Sequence, residues 1–355
     1  MTRFGKIRIV GAGLIGTSLG LALKQRGYCV EISDSNANAA ILATSLIASE
    51  VADGAPDLIV VAVPPGKIFE VLVTEYQHNS QSMFIDIGGI KSELLQQVEK
   101  FPALAQRFCS THPMAGREFA GPESAQADLF EGRAWILVPA SQTLPAVVEA
   151  VSSLIQELGA TNYTLSAKEH DAAIAGISHL PQIVSSVLGS CLDQVTDQAL
   201  LLAGAGLRDV TRLASSSAEL WSSLLLENRQ QLLPLLNRYR ENLSTIAEAL
   251  NRQDDKAIKA IFALGNAGRA RIPGKHGAKV RDYTFLPVVI EDRPGQLAAL
   301  FEECSTANVN VEDLSIEHSP GQETGLITLA LSLNDALTLQ RHLLKSGWAA
   351  HAPRS

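Results

Sequence analysis

Residues 6–35 read KIRIVGAGLIGTSLGLALKQRGYCVEISDS. A short β-branched run is followed at once by glycines in the pattern GxGxxG, at Gly11, Gly13 and Gly16, and then by a run of helical periodicity. A second β-rich run ends in Asp34, 18 residues after Gly16. Glycine clusters also arise by chance and in plain turns. Here the strand before, the helix after and the acid closing the next strand supply the context that gives the pattern meaning. Gly11 permits the tight turn, Gly13 lets a pyrophosphate approach the backbone, and Gly16 lets helix pack on strand. Leu14 and Ile15 open the helix, whose N–H groups and positive dipole end suit phosphates. Asp34 is expected to accept hydrogen bonds from adenosine ribose hydroxyls. Its carboxylate would repel a 2′-phosphate, and Ser35 and Asn36 offer no arginine to welcome one, so NAD is favoured over NADP. A Rossmann-like fold without nucleotide is the competing reading.

Beyond this unit, residues 6 to about 165 continue to alternate β-rich runs with helical stretches: LIVVAV, MFIDIG, FCSTH, AWILVP and TNYTLS. The wholly apolar run at residues 58–63 suits a parallel strand buried on both faces, hence a doubly wound α/β domain over residues 1–165. From 166 to 275 strand signals vanish and leucine-rich helical faces take over. Ser166 with Glu169, and Ser216 with Glu219, fit capping boxes. The region exposes more apolar helix surface than one small bundle hides, so an all-α substrate and dimerisation domain is expected, and a homodimer with it. A basic stretch, RARIPGKHGAKVRDY, comes next; its Arg269, Arg271, Lys275 and His276 are either an anion contact or a solvated linker. Residues 281–355 then read strand, helix, strand, strand, helix, short strand, a βαββαβ unit.

Bulk properties narrow the partners. Among 355 residues, 29 basic against 37 acidic side chains give a net charge of −8, which disfavours nucleic acid and anionic membrane. Cys29, Cys109, Cys191 and Cys304 are scattered without metal spacing, so reduced thiols and no metal site are expected. No signal peptide and no run near the ~18 apolar residues of a membrane span are read, which points to a cytoplasmic protein.

RFCSTHPMAGREFAGPESA, residues 107–125, repeats at neither helix nor strand period. It sets His112 before a proline turn at the end of a strand, where ligands of such a sheet gather. An imidazole with an ordinary pKa of ~6.5 there suits a base that accepts a hydroxyl proton as hydride leaves; a structural histidine bonding the turn is the alternative.

The stretches GAGLIGTSLG, DIGGIK, THPMAGRE, LFEGRAWILVP, HDAAIAGISHLP and LRDVTRLASSSAELW run in the order seen in the prephenate/arogenate dehydrogenases of tyrosine biosynthesis, which the chain resembles from residue 6 to about 230. The carboxy-terminal unit resembles an ACT domain. The resemblance implies an NAD-dependent oxidative decarboxylation of prephenate or arogenate, with His112 as the catalytic histidine, Arg212 as the arginine for a substrate carboxylate and Trp221 lining the same pocket. His179 and Gln182, in SHLPQ, fall at substrate-binding positions. The carboxy-terminal unit is expected to bind tyrosine as effector near Asp292, Gly295 and Asn310, a structural or dimerising role being the alternative. Two departures stand out: Gly89 replaces the serine of a common D-x-x-S-x-K pattern, and Gln182 replaces a common histidine. A non-catalytic NAD and amino-acid sensor, and another NAD-linked hydroxy-acid dehydrogenase, are the rival functions.

Two problems of phase remain. His170 and His179 are nine residues apart, on opposite faces of a straight helix unless Pro181 bends it. Trp221 is likewise nine past Arg212, so SSSAE has to break that helix if both are to point inward.

Overall fold

The computed structural model describes residues 4–49, 53–116, 121–272, 283–318 and 324–354. By compactness the chain forms two units, Met1–Val195 with Val210–Tyr239, and Thr196–Asp209 with Arg240–Ser355. The helical region is therefore shared between them. Lys275 and His276 lie outside the described residues.

The first unit is built on seven strands, β1 (Lys6–Val10), β2 (Cys29–Ser33), β3 (Leu58–Val61), β4 (Met83–Asp86), β5 (Phe108–Pro113), β6 (Ala134–Pro139) and β7 (Thr161–Thr164), in the order β2-β1-β3-β4-β5-β6-β7. Strand β3, LIVV, is buried along its whole length, as a parallel strand covered on both faces must be. Helices lie in two apolar layers: one cluster joins Ile7, Ile9, Leu19 and Leu23 to Val151 and Leu154, the other joins Ile59 and Val61 to Leu72, Leu95 and Phe108. The strand order reverses at β1, which pairs with β2 on one side and β3 on the other, and this opens a crevice beyond the C-terminal end of β1.

The sheet departs from all-parallel at one place. Strand β6 runs antiparallel to β5, with His112 opposite Ile136, and β7 is again parallel to β6. In the described part of the β5–β6 connection only a short 3₁₀ turn, Pro122–Ser124, is present. Without a crossover helix the chain turns back beside the strand it has just left.

In the second unit, β8 (Thr284–Glu291), β9 (Asp313–His318), β10 (Thr324–Leu331) and β11 (Ala349–Ala350) form an antiparallel sheet in the order β11-β8-β10-β9. The helices Gln296–Thr306 and Leu333–Lys345 pack on it through Leu300, Cys304, Leu339 and Leu343. The element order is the one the sequence suggests.

Candidate active site

The glycine turn has the geometry its residues imply. Gly11 has φ +116°, and a Cβ there would collide with the Ala62 carbonyl, while one at Gly16 would collide with the Gly11 carbonyl. Gly13 faces open space and precedes the helix Leu14–Gln25, which has no side-chain cap and no acidic residue in its first turn. Backbone donors and positive partial charge are therefore open to an anion at Leu14 and Ile15. Asp34 Oδ2 accepts from the Ala12 N–H at 2.6 Å and Oδ1 from the Asn36 N–H at 2.7 Å. Its carboxylate is thereby fixed at the rim of the turn, half-buried, with lone pairs left for further donors. Open space above Gly13 and a fixed acid beside it fit a dinucleotide.

Beneath the C-terminal ends of β4 and β5 lies a buried ion pair. Lys91 Nζ donates to Asp86 Oδ2 at 2.6 Å, and both side chains are 0% exposed. Asp86 also accepts from Gly88 N–H at 2.8 Å, from the Ser110 hydroxyl at 2.5 Å and from Thr111 N–H at 3.3 Å. The Thr111 hydroxyl donates to the Asp86 carbonyl at 2.6 Å. Asp86 thus locks the two residues that precede His112. Burial lowers the Lys91 pKa against the opposing pull of Asp86.

His112 Nδ1 lies 2.9 Å from His170 Nε2, and His170 Nδ1 lies 2.8 Å from Asp171 Oδ1. The two rings meet edge to face at 5.1 Å. Asp171 is held in turn by the N–H groups of Lys91, at 3.0 Å, and Ser92, at 2.9 Å. Burial raises the Asp171 pKa, but the hydrogen bonds from His170, Ser92 and Lys91 outweigh it and the net shift is downward. Burial lowers His112 well below the ordinary imidazole value, helped by the Lys91 charge and then by His170 and His179. His112 as a whole residue is half-buried. Burial likewise lowers His170 despite the carboxylate beside it. Both imidazoles are neutral at physiological pH, the form a base requires.

The helix carrying His170 solves its phase problem by widening. It starts at Ser166 with a complete capping box: the Glu169 N–H donates to Ser166 Oγ at 3.3 Å, and the Ser166 N–H to Glu169 Oε2 at 2.9 Å. The helix Ala167–Ile174 then passes through a π-turn, Ala175–His179, into the helix Leu180–Ser190. Pro181 has no N–H and crowds the carbonyl of Ile177 in the preceding turn, which a wider turn relieves. The extra residue rotates the rest of the helix by about 100°, so His170 and His179 no longer oppose each other. Both are buried, at 0% and 1% exposed. The run Ala167–Gln194 is also, among the described residues, a helix long and apolar enough by composition to cross a membrane. Its buried His170, Asp171, His179 and Gln182 are hydrogen-bonded within the fold instead.

Asn228, buried just before the helix Arg229–Arg252, joins His179 to the backbone of Asp171. Its Nδ2 donates to the Asp171 carbonyl at 2.8 Å and lies 3.2 Å from His179 Nδ1. Burial takes the His179 pKa down to about 4. The His179 ring meets Trp221 edge-on at 5.8 Å. Trp221, Gln182, Ile183 and Leu225 help to line a recess of about 420 Å³. Gln182 Nε2 donates to the Leu213 carbonyl at 2.7 Å, and Ser216 Oγ donates to Gln182 Oε1 at 3.4 Å. Gln182 therefore ties down the turn Arg212–Ser215, on which Arg212 stands exposed. That turn ends the helix Ala205–Thr211, and a new helix, Ala218–Glu227, begins after it. The break expected at SSSAE is present, one residue later than expected: Ser217, not Ser216, accepts from the Leu220 N–H.

A chain of contacts thus runs from His112 through His170, Asp171, Asn228 and His179 to Trp221. Of the residues read from sequence, His112, His179, Trp221 and Gln182 sit along or beside it; Asp34 and the glycines belong to the turn beyond β1. Asp292, Gly295 and Asn310 lie in the second unit, all exposed. Gly295 has φ +89° with open space around it, and Asn310 Nδ2 donates to Glu312 at 3.1 Å. Two members of the chain, Asp171 and Asn228, are not singled out by the sequence. Asp171 is signalled only by its place beside His170, and Asn228 by nothing local.

A profile of the prephenate dehydrogenase nucleotide-binding domain matches residues 19–164, and one of the prephenate dehydrogenase dimerization domain matches residues 166–264. A prephenate dehydrogenase of Lactococcus lactis is 30% identical over 89% of this chain and 92% of its own length. The probable prephenate dehydrogenase NovF of Streptomyces niveus is 28% identical over 97% and 99%. The crystal structure of an A. aeolicus prephenate dehydrogenase, in complex with hydroxyphenyl propionate and NAD+, covers 76% of this chain and 98% of its own with a TM-score of 0.68 at 23% identity. The glycine turn, the histidine-bearing strand end and these matches over nearly the whole length agree: the chain belongs to the prephenate dehydrogenase family.

Proposed function

We propose that the protein oxidises prephenate or arogenate with NAD and releases CO2, in the formation of tyrosine or its keto acid. The observation that carries this reading is a neutral imidazole, His112, at the C-terminal edge of a dinucleotide-type sheet, in a region otherwise lined by buried polar groups. Bound NAD supplies the hydride acceptor. His112 accepts the ring-hydroxyl proton as the C–H bond on the same carbon breaks. The resulting ring ketone draws the electrons left by the departing carboxylate, aromaticity returns, and the ring oxygen recovers its proton. Arg212 suits a substrate carboxylate because a permanently charged guanidinium binds one through paired hydrogen bonds. Trp221, His179 and Gln182 would shape the wall of that site.

Purified protein with NAD and either substrate, followed at 340 nm with CO2 measured in parallel, tests the reading. NADH and CO2 in equal amounts are expected. NADH without CO2 would point to a different hydroxy-acid dehydrogenase, and no turnover with either substrate to a sensor.

The same reading places the protein in the cytoplasm as a homodimer. Leu250, Phe262 and Leu264 are more than half exposed on the helices Arg229–Arg252 and Asp255–Arg269, surface that a second copy would cover. Sedimentation velocity should give a dimer or larger. The carboxy-terminal unit, ACT-like in its element order, would bind tyrosine near Asp292, Gly295 and Asn310. Calorimetric titration of the intact protein with tyrosine should show binding that Gly295→Val weakens, because the branched side chain occupies the open space beside the helix start.

A further inference from the structure

The wall around His112 differs on its two sides. On the Nε2 side stands Gly89, where a Cβ would lie 3.8 Å from Nε2 and 3.9 Å from Cε1, so this position brings no hydroxyl to the ring. On the Nδ1 side stands His170 at 2.9 Å, backed by Asp171 at 2.8 Å. Asp171 is itself fixed by the two N–H groups of Lys91 and Ser92.

The order of acceptors determines where the protons go. A carboxylate only accepts, so His170 Nδ1 carries the proton it shares with Asp171. In a neutral ring Nε2 of His170 is then bare and accepts from His112. His112 consequently carries its proton on Nδ1 and presents the Nε2 lone pair on the Gly89 side. We propose that His170, backed by Asp171, is a positioning residue that sets the tautomer and orientation of His112, the task a hydroxyl at position 89 would otherwise share. The proposal rests on His112 being the base of the reaction.

When His112 gains the substrate proton on Nε2, its Nδ1–H continues to donate to His170 and no further transfer occurs. The cation formed is compensated by the Asp171 carboxylate through one imidazole. Other charged or titratable groups facing the pair are Lys91 and Asp86 from the β4 end, and His179 from the π-turn. Burial holds His170 neutral, which keeps it an acceptor.

The test compares wild type, His170→Ala and His170→Gln, with selectively 15N-labelled histidine. Ring-nitrogen shifts read the tautomer of His112 without substrate, and turnover is measured separately. A glutamine oxygen can occupy the place of Nε2 and accept the same hydrogen bond. The expected result is an Nδ1–H tautomer in wild type and in His170→Gln, lost in His170→Ala. Turnover should fall roughly a hundredfold in His170→Ala with NAD affinity unchanged, and recover most of the way in His170→Gln. An Nε2–H tautomer in wild type overturns the proposal. So does a folded His170→Gln as impaired as His170→Ala. Absence of turnover in wild type would refute the proposed reaction, while the tautomer measurement would still decide the relay.

Discussion

Replacing Lys91 by methionine keeps the length of the stem and removes the charge. Both members of the Lys91–Asp86 pair are 0% exposed and 2.6 Å apart, so the change leaves a carboxylate buried without its counter-charge. Breaking a buried pair from one side costs about 3–5 kcal/mol. Asp86 keeps its bonds from Gly88, Ser110 and Thr111, which places the expected loss near ~3 kcal/mol. Asp86→Asn combined with Lys91→Met removes both charges, and should lose less than the two single changes added together. The same substitution reaches the chemistry. After burial, the Lys91 charge is the main cause of the low His112 pKa, and removing it also leaves the Asp86 anion uncompensated nearby. His112 therefore protonates more readily, and the acid limb of kcat/KM should move to higher pH. Urea unfolding monitored by tryptophan fluorescence measures the first effect, and pH–rate profiles measure the second. A variant within ~0.5 kcal/mol of wild type would show that the pair is not buried in solution. An acid limb moved to lower pH would refute the electrostatic argument.

His112→Asn should leave NAD binding near normal and slow turnover by ~10²-fold or more, as separate titration and rate measurements would show. The buried His179 bears on acid stability. Its pKa is down at about 4 in the fold against 6.5 unfolded, so the unfolded chain binds more protons between those values and stability falls as pH drops through that window. At ~1.36 kcal/mol per unit the shift is worth ~3 kcal/mol by pH 4, and His179→Asn should flatten the slope of unfolding free energy from pH 6.5 to 4. At Gly89 an added Cβ meets Leu224 Cδ2 at 3.2 Å, a contact relieved by a shift of a few tenths of an ångström. Gly89→Ser should stay within ~1 kcal/mol of wild type and remain active. Gly89→Val should lower kcat/KM at least about tenfold, because a branched side chain crowds the base; equal rates for the two variants would show that nothing reacts on that side of the ring.

Much of this molecule obeys rules that act between near neighbours in the chain. The KIRIV–GAGLIG–CVEISD run, the buried LIVV strand, the capping box at Ser166 and the strand–helix order of the last unit all come from local periodicity, glycine freedom and side-chain-to-backbone bonding within a few residues. Those rules place His112 at a strand end and Asp34 beside the glycines. They are silent on which of these groups meet, and there the packing of the whole chain takes over. His112 meets His170 58 residues later, and Asn228 reaches Asp171 across 57. The antiparallel turn of β6 and the π-turn that ends at His179 have no periodic signature. A buried polar group must find a partner wherever the packed chain offers one, and no local rule says which residue that will be.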